Sequence, residues 1–463
     1  MSHTLKTERE KLETAAEKLL SLAVKSGADA AEVCGTYGTK TKIALEKQDY
    51  HLASSDDGYS LGVRVLKGQR QGFASCNSTD PNELKEIAIK ANEIANFSPS
   101  NPHYHLKQGD NIPKEAPKNL LDPALLDLSL QTQKDWTRLM VGETTKDSRF
   151  RLNEGTVEIG LGLSLVLNSL GTHQMEADSA VSWSLMGMGV EGDSITSFDY
   201  FSQMTRKALA APDQIVASSR NFVQEVVRNL QTGKSRSYKG LVLFTPRAVL
   251  DILVSTLAYH FNGRVVAENT GKWALKDRDN VILNPKITLT DNPWLPDRSG
   301  CSSFDREGTP TKPISLIESG LLKNFCLDLY AAHALQLSST GHAAGGPSSL
   351  PSVSNHTLCL SGGSLPKSQL YEMASSTQKS FLVVHRYSGQ SDPVTGDFSG
   401  VAKGAEWWTN GERQYYVQET LISGNIFQAL GEDLIELSTE TEVVDSDEES
   451  PTLLINNISV TGG

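Results

Sequence analysis

From residue 281 onwards the chain consists mostly of short apolar runs separated by turn residues. We expect strands in runs such as Val281 to Leu289, Ile314 to Ile317 and Thr452 to Val460. The dipeptide Asn410-Gly411 lies between two aromatic pairs and is typical of a two-residue hairpin turn. Many short strands at this spacing predict a strongly bent or barrel-like sheet.

The N-terminal part of the chain begins with apolar residues at a different spacing. Apolar residues from Leu12 to Ala23 recur at helical spacing, whereas Ala31 to Cys76 contains period-two runs that predict strands. Asp80-Pro81 combines an N-cap with a first-turn proline, and a second helical pattern extends from there to Ala95. We therefore predict an N-terminal α/β unit of helices on an antiparallel sheet.

Further helices and strands follow in the middle of the chain. We expect a helix from about 124 to 146, long antiparallel strands at 156–167 and 177–190, and a helix from Asp213 to Gly233. The fold class is α+β.

Two composition changes divide the chain into three units. The segment Phe97 to Pro123 is rich in proline and polar residues, which places a boundary near residue 110. A buried-type strand at Gly240 to Phe244, followed by a helix capped at Thr245-Pro246, marks the start of the last unit. The predicted domains are 1–110, 111–236 and 237–463.

The net charge of −12 is distributed unevenly. The stretch from Glu432 to Ser450 carries nine acidic residues and no Lys or Arg, so the remainder has a charge of only −3. A nearly neutral body offers no basic surface to nucleic acid or to an anionic membrane. We interpret the acidic stretch as a solvated loop.

Cysteine usage and hydropathy indicate the compartment. The five cysteines are dispersed and include no C-x-x-C pair, which favours a reducing cytoplasm. The first residues contain no apolar leader, and no apolar run reaches 18 residues. We expect a cytoplasmic protein that is neither exported nor membrane-spanning.

Histidine spacing alone identifies no metal site. His103 and His105 form a His-Tyr-His in the proline-rich linker, and His260 ends a predicted helix. The remaining candidates, His342, His356 and His385, have no paired ligand nearby in sequence. Gly-x-Ser-x-Gly and phosphate-loop motifs are also absent from the sequence, so motif spacing assigns no catalytic role.

The segment Ser388 to Gly400 is the densest in turn residues, and it contains Asp-Pro-Val-Thr-Gly-Asp-Phe-Ser-Gly from Asp392 onwards. It resembles the C-terminal signature of the TldD/PmbA family. Val417 to Asn425 resembles the strand that follows in that family, and Asp305 to Pro310 resembles its Glu-Gly-x-Pro segment. The resemblance covers most of the chain.

The resemblance carries expectations about function. Members of the family are cytoplasmic and form two-fold dimers with an internal cavity. In the TldD branch they are zinc metallopeptidases that degrade unfolded peptides or trim modified-peptide precursors. Their ligands are the two His of a His-Glu-x-x-x-His helix and a downstream Cys.

This chain departs from the TldD pattern on that helix. Val254 and Tyr259 stand where the two His would be, and Ser255 stands where the Glu would be. The stretch Gly424 to Gly431 contains no Cys ligand. The resemblance is therefore to the TldE/PmbA branch, and it implies a subunit with no metal or other cofactor, paired with a TldD-like zinc subunit.

We expect no catalytic residues in this chain. The glycine-rich Gly341 to Pro347 loop and the Asp392 turn permit close backbone approach, so they are candidates for the wall near the peptide or the partner. The candidate wall residues are Gly345, Gly346, Gly389, Asp392, Thr395, Gly396, Asp397 and Ser399.

Two alternatives stay open. The chain could be a self-sufficient metallopeptidase that uses unfamiliar ligands such as His260 or His385. It could instead be an interaction protein without a protease role, as the family's older label of DNA gyrase modulator suggests. A homodimer is compatible with the isolated chain, and we expect neither nucleic acid nor membrane as a partner.

Overall fold

The structure is a computed structural model that describes residues 3–118 and 120–462 and contains two large sheets. The elements of the first half are α1 His3–Lys25, β1 Ala30–Glu46, β2 Asp49–Lys67, β3 Arg70–Cys76, α2 Pro81–Phe97, α3 Pro123–Leu126, α4 Leu130–Thr144, β4 Phe150–Asn168, β5 His173–Glu191, β6 Ser194–Ile195, β7 Asp199–Thr205 and α5 Ala211–Arg228. Those of the second half are β8 Thr232–Gly233, β9 Tyr238–Phe244, α6 Pro246–Val249, α7 Ser255–Phe261, α8 Gly263–Ala267, β10 Leu289–Asp291, β11 Ile314–Glu318, β12 Leu321–Leu322, α9 Leu329–Ala334, β13 Ala343–Ala344, β14 Ser352–Val353, β15 Leu358–Leu360, α10 Lys367–Thr377, β16 Ser380–Val384, β17 Arg386–Ser391, β18 Asp397–Lys403, β19 Glu406–Thr409, β20 Glu412–Val417, β21 Thr420–Asn425, α11 Ile426–Ala429, β22 Leu434–Val444 and β23 Glu448–Thr461.

The N-terminal sheet has seven strands in the order β3-β2-β1-β4-β5-β6, with β7 also paired to β5. Strand β1 pairs with β4 from Glu32 opposite Asn168 to Glu46 opposite Glu154. The boundary that we expected near residue 110 therefore does not separate two sheets. The division into three domains stays a prediction about folding units.

Helices cover one face of this sheet. Leu163 and Leu165 of β4 pack in a cluster with α1 and α2, while Val157 and Ile159 pack in a second cluster with α4 and α5. These residues have odd numbers and share one face, since side chains alternate along a strand. The predicted α/β unit is confirmed, with helices on an antiparallel sheet. Among the described helices, none has the length and apolarity needed to cross a bilayer.

The C-terminal sheet has fourteen strands and branches around β23. Strand β23 pairs with β9, β21 and β22 along parts of its length and meets β15 in a short parallel contact. A strand with this many neighbours requires a strongly bent sheet, which confirms the predicted strand-rich architecture. The predicted hairpin turn is also present, because Asn410 and Gly411 have φ values of 54° and 84°.

The acidic stretch 432–450 is not a solvated loop, so this prediction is wrong. It forms β22, a turn and the start of β23. Leu434 and Leu437 are buried on the sheet, and basic residues from distant segments pair with the carboxylates. The ion pairs are Lys286–Glu436, Lys367–Glu442, Arg247–Asp445 and Arg298–Glu449.

Several predicted boundaries are also wrong. Helix α5 ends at Arg228, and Gly233 lies in β8, where a Cβ atom would collide with the Tyr415 ring. Of the strand expected from Val281 to Leu289, only Leu289 lies in a strand, as the first residue of β10. Most of the segment before it consists of turns and irregular structure. Pairing between segments that are distant in sequence decides where these elements end, and the local sequence pattern does not contain that information.

Candidate functional site

The helix on which the resemblance places the family's zinc ligands runs from Pro246 to Phe261 and contains a π turn at Leu250–Val254. Strand β17 lies beside it. The backbone N–H of Tyr387 donates to Asp251 Oδ2 (3.3 Å), and Thr256 Oγ1 lies 3.0 Å from Ser391 Oγ. π turns inside helices occur frequently at functional sites.

Zinc does not fit the three family positions on this helix. Val254 is buried and has no ligand atom. Ser255 is exposed, and its hydroxyl donates to the Asp251 carbonyl oxygen (3.0 Å), while Tyr259 is half-buried. Structural and catalytic zinc sites use imidazole, thiolate and carboxylate ligands, and none of these three side chains supplies one. The positions also lack a carboxylate that could act as a general base.

The turn after β17 is rigid and exposed. Asp392 Oδ1 accepts hydrogen bonds from the backbone N–H groups of Val394 (2.7 Å) and Thr395 (3.1 Å), and these donors lower the pKa of Asp392. Asn425 Nδ2 donates to the Thr395 carbonyl oxygen (2.9 Å) and to Asp397 Oδ1 (2.8 Å). The turn is thus fixed by its own side chains, as an Asx turn is.

Two other candidate wall residues lie on the strands that flank this turn. Gly389 of β17 is opposite Gly400 of β18, and Ser399 is opposite Gln390. The structure therefore brings the candidates from Gly389 to Ser399 together in one hairpin. Gly396 has a φ of 78°, which favours glycine at the tip.

The candidates Gly345 and Gly346 lie in a separate place, the seam between the two sheets. Arg306 Nε donates to the Gly346 carbonyl oxygen (3.4 Å), and a Cβ atom on Gly62 of β2 would collide with the carbonyl oxygen of Pro347. Gly345 has a φ of 118°, whereas Gly346 borders open space. The role of both candidate groups as a peptide or partner wall stays a prediction.

Buried charges join the two sheets at this seam. The Arg64 guanidinium lies 2.9 Å from Glu32 and 2.8 Å from Glu307, and Arg306 lies 3.0 Å from the other oxygen of Glu32. None of these four side chains is more than 6% exposed. Burial raises the pKa of Glu307, and Arg64 opposes the shift.

Asp305 fixes the adjacent loop. Its carboxylate accepts hydrogen bonds from the backbone N–H groups of Glu307 (2.9 Å), Thr309 (2.9 Å) and Ala343 (3.0 Å). Burial and the nearby Glu307 charge raise the pKa of Asp305. The Asp305 to Pro310 motif therefore holds the Gly341 to Pro347 loop against the N-terminal sheet.

Sequence reasoning missed this charge network, although a signal was present. Glu32 lies between Ala31 and Val33, and Arg64 lies between two valines, inside runs whose neighbours are fully buried. A charged residue in a doubly buried strand is expected to have an opposite charge beside it.

Asp291, Cys326 and His342 form a buried group whose potential ligand atoms lie within 4.8 Å of one another. His342 Nε2 lies 3.0 Å from Asp291 Oδ2, and the backbone N–H groups of His356 and Thr357 also donate to Asp291. His342 Nδ1 lies 2.8 Å from Thr340 Oγ1. Because hydrogen bonds already occupy the ligand atoms of Asp291 and His342, we interpret the group as a structural hydrogen-bond cluster.

Two adjoining cavities lie between β7 and the C-terminal sheet. One has a volume of about 380 Å³ and is lined by five basic side chains, Arg228, Arg247, Lys367, His385 and Arg386. The other has a volume of about 480 Å³ and extends along β6 to Glu419. Arg386 donates to the Tyr200 carbonyl oxygen (3.0 Å) and pairs with Asp199.

The histidines considered as unfamiliar zinc ligands occupy different environments. His260 is fully buried among aromatic rings, and its Nδ1 accepts the backbone N–H of Lys272 (3.0 Å). Burial lowers the pKa of His260. His385 lies 3.4 Å from Glu406. Burial would raise the pKa of Glu406, but His385 and the donors Trp408 and Arg413 outweigh that effect and hold this pKa at about 2.

Comparisons with known proteins agree with these observations. The model of the PmbA/TldA metallopeptidase C-terminal domain matches residues 237–462, and the model of PmbA/TldA metallopeptidase domain 1 matches residues 31–95. The metalloprotease PmbA of Escherichia coli O157:H7 is 26% identical over 432 residues, which cover 91% of this chain and 90% of PmbA.

Two solved structures share the fold. TldE from Thermococcus kodakarensis superposes with a TM-score of 0.83 at 22% identity, covering 97% of this chain and all of that one. A Thermotoga maritima protein labelled a modulator of DNA gyrase superposes with a TM-score of 0.81 at 18% identity, covering 97% and 99% of the two chains. With the two family models matching more than half of its length, the chain belongs to the PmbA/TldD metallopeptidase family.

Proposed function

We propose that this chain is a non-catalytic subunit of the TldE/PmbA type. It pairs in the cytoplasm with a TldD-type zinc metallopeptidase and helps to enclose unfolded peptides or modified-peptide precursors. One observation supports the proposal: Val254 and Tyr259, which the resemblance aligns with the two zinc-binding His, and Ser255, which it aligns with the Glu, offer neither a zinc ligand nor a base. A subunit of this kind contributes peptide binding and orientation, while the partner supplies the metal-activated water.

The cleft beside β7 supports a peptide-binding role. Within the described residues β7 pairs only with β5, so its other edge faces the cavities. The N–H of Met204 donates to Ser446 Oγ (3.0 Å), which shows that backbone groups on this edge are directed outwards. A strand edge can bind an extended peptide by strand addition, with affinity that depends little on sequence, and here the peptide would replace the contacts of Tyr200 with Arg386 and of Met204 with Ser446.

The uncovered face of the N-terminal sheet supports a role in a chamber wall. Lys40, Glu158, Ser182 and Ser184 have even numbers and lie on the face opposite the helices, and Lys40 is exposed while the other three are half-buried. Lys40 and Glu158 form an ion pair of 2.7 Å across β1 and β4. A polar sheet face of this kind suits a water-filled cavity.

The geometry disfavours a self-sufficient metallopeptidase. His260 is buried and already hydrogen-bonded, and His385 Nε2 lies 3.4 Å from Glu406 Oε1. A mildly acidic body without a basic stripe also gives no support to direct DNA binding.

The proposal is tested by mixing the purified chain with a TldD-type chain and following assembly by size-exclusion chromatography with light scattering. We expect a mixed assembly that cleaves an unfolded peptide. Changing the partner's zinc-binding His to Ala should abolish cleavage, whereas Ser255→Ala in this chain should leave it unchanged. Failure to assemble, or loss of cleavage in Ser255→Ala, would contradict the assignment.

A further inference from the structure

The His-Tyr-His of the proline-rich linker does not lie in isolation in the structure. His103 Nδ1 is 3.2 Å from the Nδ1 of His333, which is 230 residues away on α9. The ring of His105 packs on His333 with centroids 4.6 Å apart. Three imidazoles from two distant segments therefore meet at the seam between the two halves of the chain.

The two facing nitrogens have the separation that a transition metal requires. Two imidazole nitrogens on one tetrahedral zinc ion lie about 3.3 Å apart, given Zn–N bonds of about 2.0 Å. Imidazole is a preferred ligand of Zn²⁺, Ni²⁺ and Cu²⁺. Rotation of the two rings would direct both nitrogens at one ion beside the line that now joins them, and water could complete its coordination.

Both ligand segments are held in place before any ion binds. The backbone N–H of Asn101 donates to the Gln69 carbonyl oxygen (2.7 Å), and Asn101 Nδ2 donates to Tyr330 Oη (3.3 Å). Helix α9 is capped by Asp328, which Arg264 holds through two hydrogen bonds. Such preorganisation reduces the cost of ordering ligands upon binding.

An adjoining cavity gives an ion access to these histidines, and the basic residues around it are paired with carboxylates. It has a volume of about 200 Å³ and is lined by His103, His105, Tyr330, Arg64, Arg264 and Glu268. The two arginines are already neutralised, Arg64 by Glu32 and Glu307 and Arg264 by Asp328. Glu268 adds a carboxylate to the wall.

We propose that His103 and His333 form a binding site for a divalent transition-metal ion, with the His105 ring packed beside them. The ion would connect the linker of the N-terminal half to helix α9 of the C-terminal half. With two firm ligands the site is weak and exchangeable, which separates it from the tightly held zinc of a metallopeptidase.

The test uses the full chain after removal of metal with a chelator, titrated with ZnCl₂ by calorimetry. We expect one ion per wild-type chain, and a loss of affinity of about tenfold or more in both His103→Ala and His333→Ala, because even loss of an outer-shell partner costs that much. His51→Ala is the matched control, since His51 is an exposed histidine far along β2.

Cu²⁺ electron paramagnetic resonance supplies a second readout, in which coupling to imidazole nitrogen should disappear with His333→Ala. Melting curves of each variant establish that it is folded. Unchanged zinc affinity in both variants would overturn the proposal. Zinc binding that is lost in Cys326→Ser but kept in His333→Ala would also overturn it, and would assign the ion to the Asp291 cluster.

Discussion

The buried charges at the seam allow a quantitative prediction for Glu32→Gln. The substitution keeps the shape of the side chain but removes the negative charge that faces both Arg64 (2.9 Å) and Arg306 (3.0 Å). Arg64 then keeps Glu307 as a partner, whereas Arg306 loses the carboxylate with which it pairs. Leaving a buried charge without its partner costs about 3–5 kcal/mol, so we expect a loss of that size in the free energy of unfolding.

The assay is urea denaturation followed by tryptophan fluorescence and circular dichroism. Glu158→Gln is the matched control, because its pair with Lys40 has partly exposed side chains and is worth about 1 kcal/mol or less. Adding Arg306→Gln to Glu32→Gln should restore part of the loss, as coupled neighbours do in a double-mutant cycle. Equal shifts of the urea midpoint in Glu32→Gln and Glu158→Gln would refute the reasoning.

Four further predictions concern a hairpin turn, the pH dependence of stability, the acidic segment and the candidate wall glycines. Gly411→Val should destabilise the chain by about 1 kcal/mol or more, because valine is strained at a φ of 84°; an unchanged melting curve would contradict this. Burial and neighbouring acids, Asp447 first, raise the pKa of Glu448 to about 7. Above pH 4.5 the unfolded state therefore binds fewer protons than the folded state, so the free energy of unfolding should fall by about 1 kcal/mol between pH 6 and pH 8. Glu448→Gln should remove that part of the pH dependence. Deleting 440–449 should prevent folding, since the segment joins β22 to β23; a native circular dichroism spectrum would argue against it. Gly346→Phe should lower the activity of the mixed assembly with little change in melting temperature, whereas Gly345→Phe should lower the melting temperature because the φ of Gly345 is 118°. Unchanged activity together with a lower melting temperature in Gly346→Phe would count against a role at the wall.

Local patterns predicted much of the fold because the relevant physics is local. The apolar spacing from Leu12 to Ala23 and the Asp80 cap specify α1 and α2, and Asn410-Gly411 specifies a hairpin turn. The long strands β4 and β5 were also predicted, since alternation persists over many residues. In each case one short window contains the information.

Features that depend on distant partners could not be predicted in this way. Strand β2 begins at Asp49 in a polar, exposed stretch that shows no alternation, and it forms because β1 lies opposite. The acidic strand β22 is stable because Lys286 and Lys367 neutralise two of its carboxylates. The contact of His103 with His333 likewise depends on how the two halves pack.

The family helix shows what resemblance adds and where it ends. The motif register predicted Val254 and Tyr259 at the two His positions and Ser255 at the Glu position, and in the structure all three lie on the Pro246 to Phe261 helix without an imidazole, thiolate or carboxylate among them. The π turn at Leu250–Val254, which the sequence did not indicate, lies directly before Ser255.

The central claim is that this chain contributes to peptide cleavage only through a zinc-bearing partner. The most direct test measures cleavage of an unfolded peptide by this chain alone, by a TldD-type chain alone and by an equimolar mixture. We expect no cleavage by this chain, low activity of the partner, and a large increase in the mixture. Metal-dependent cleavage by this chain alone, abolished by His260→Ala or His385→Ala, would contradict the account.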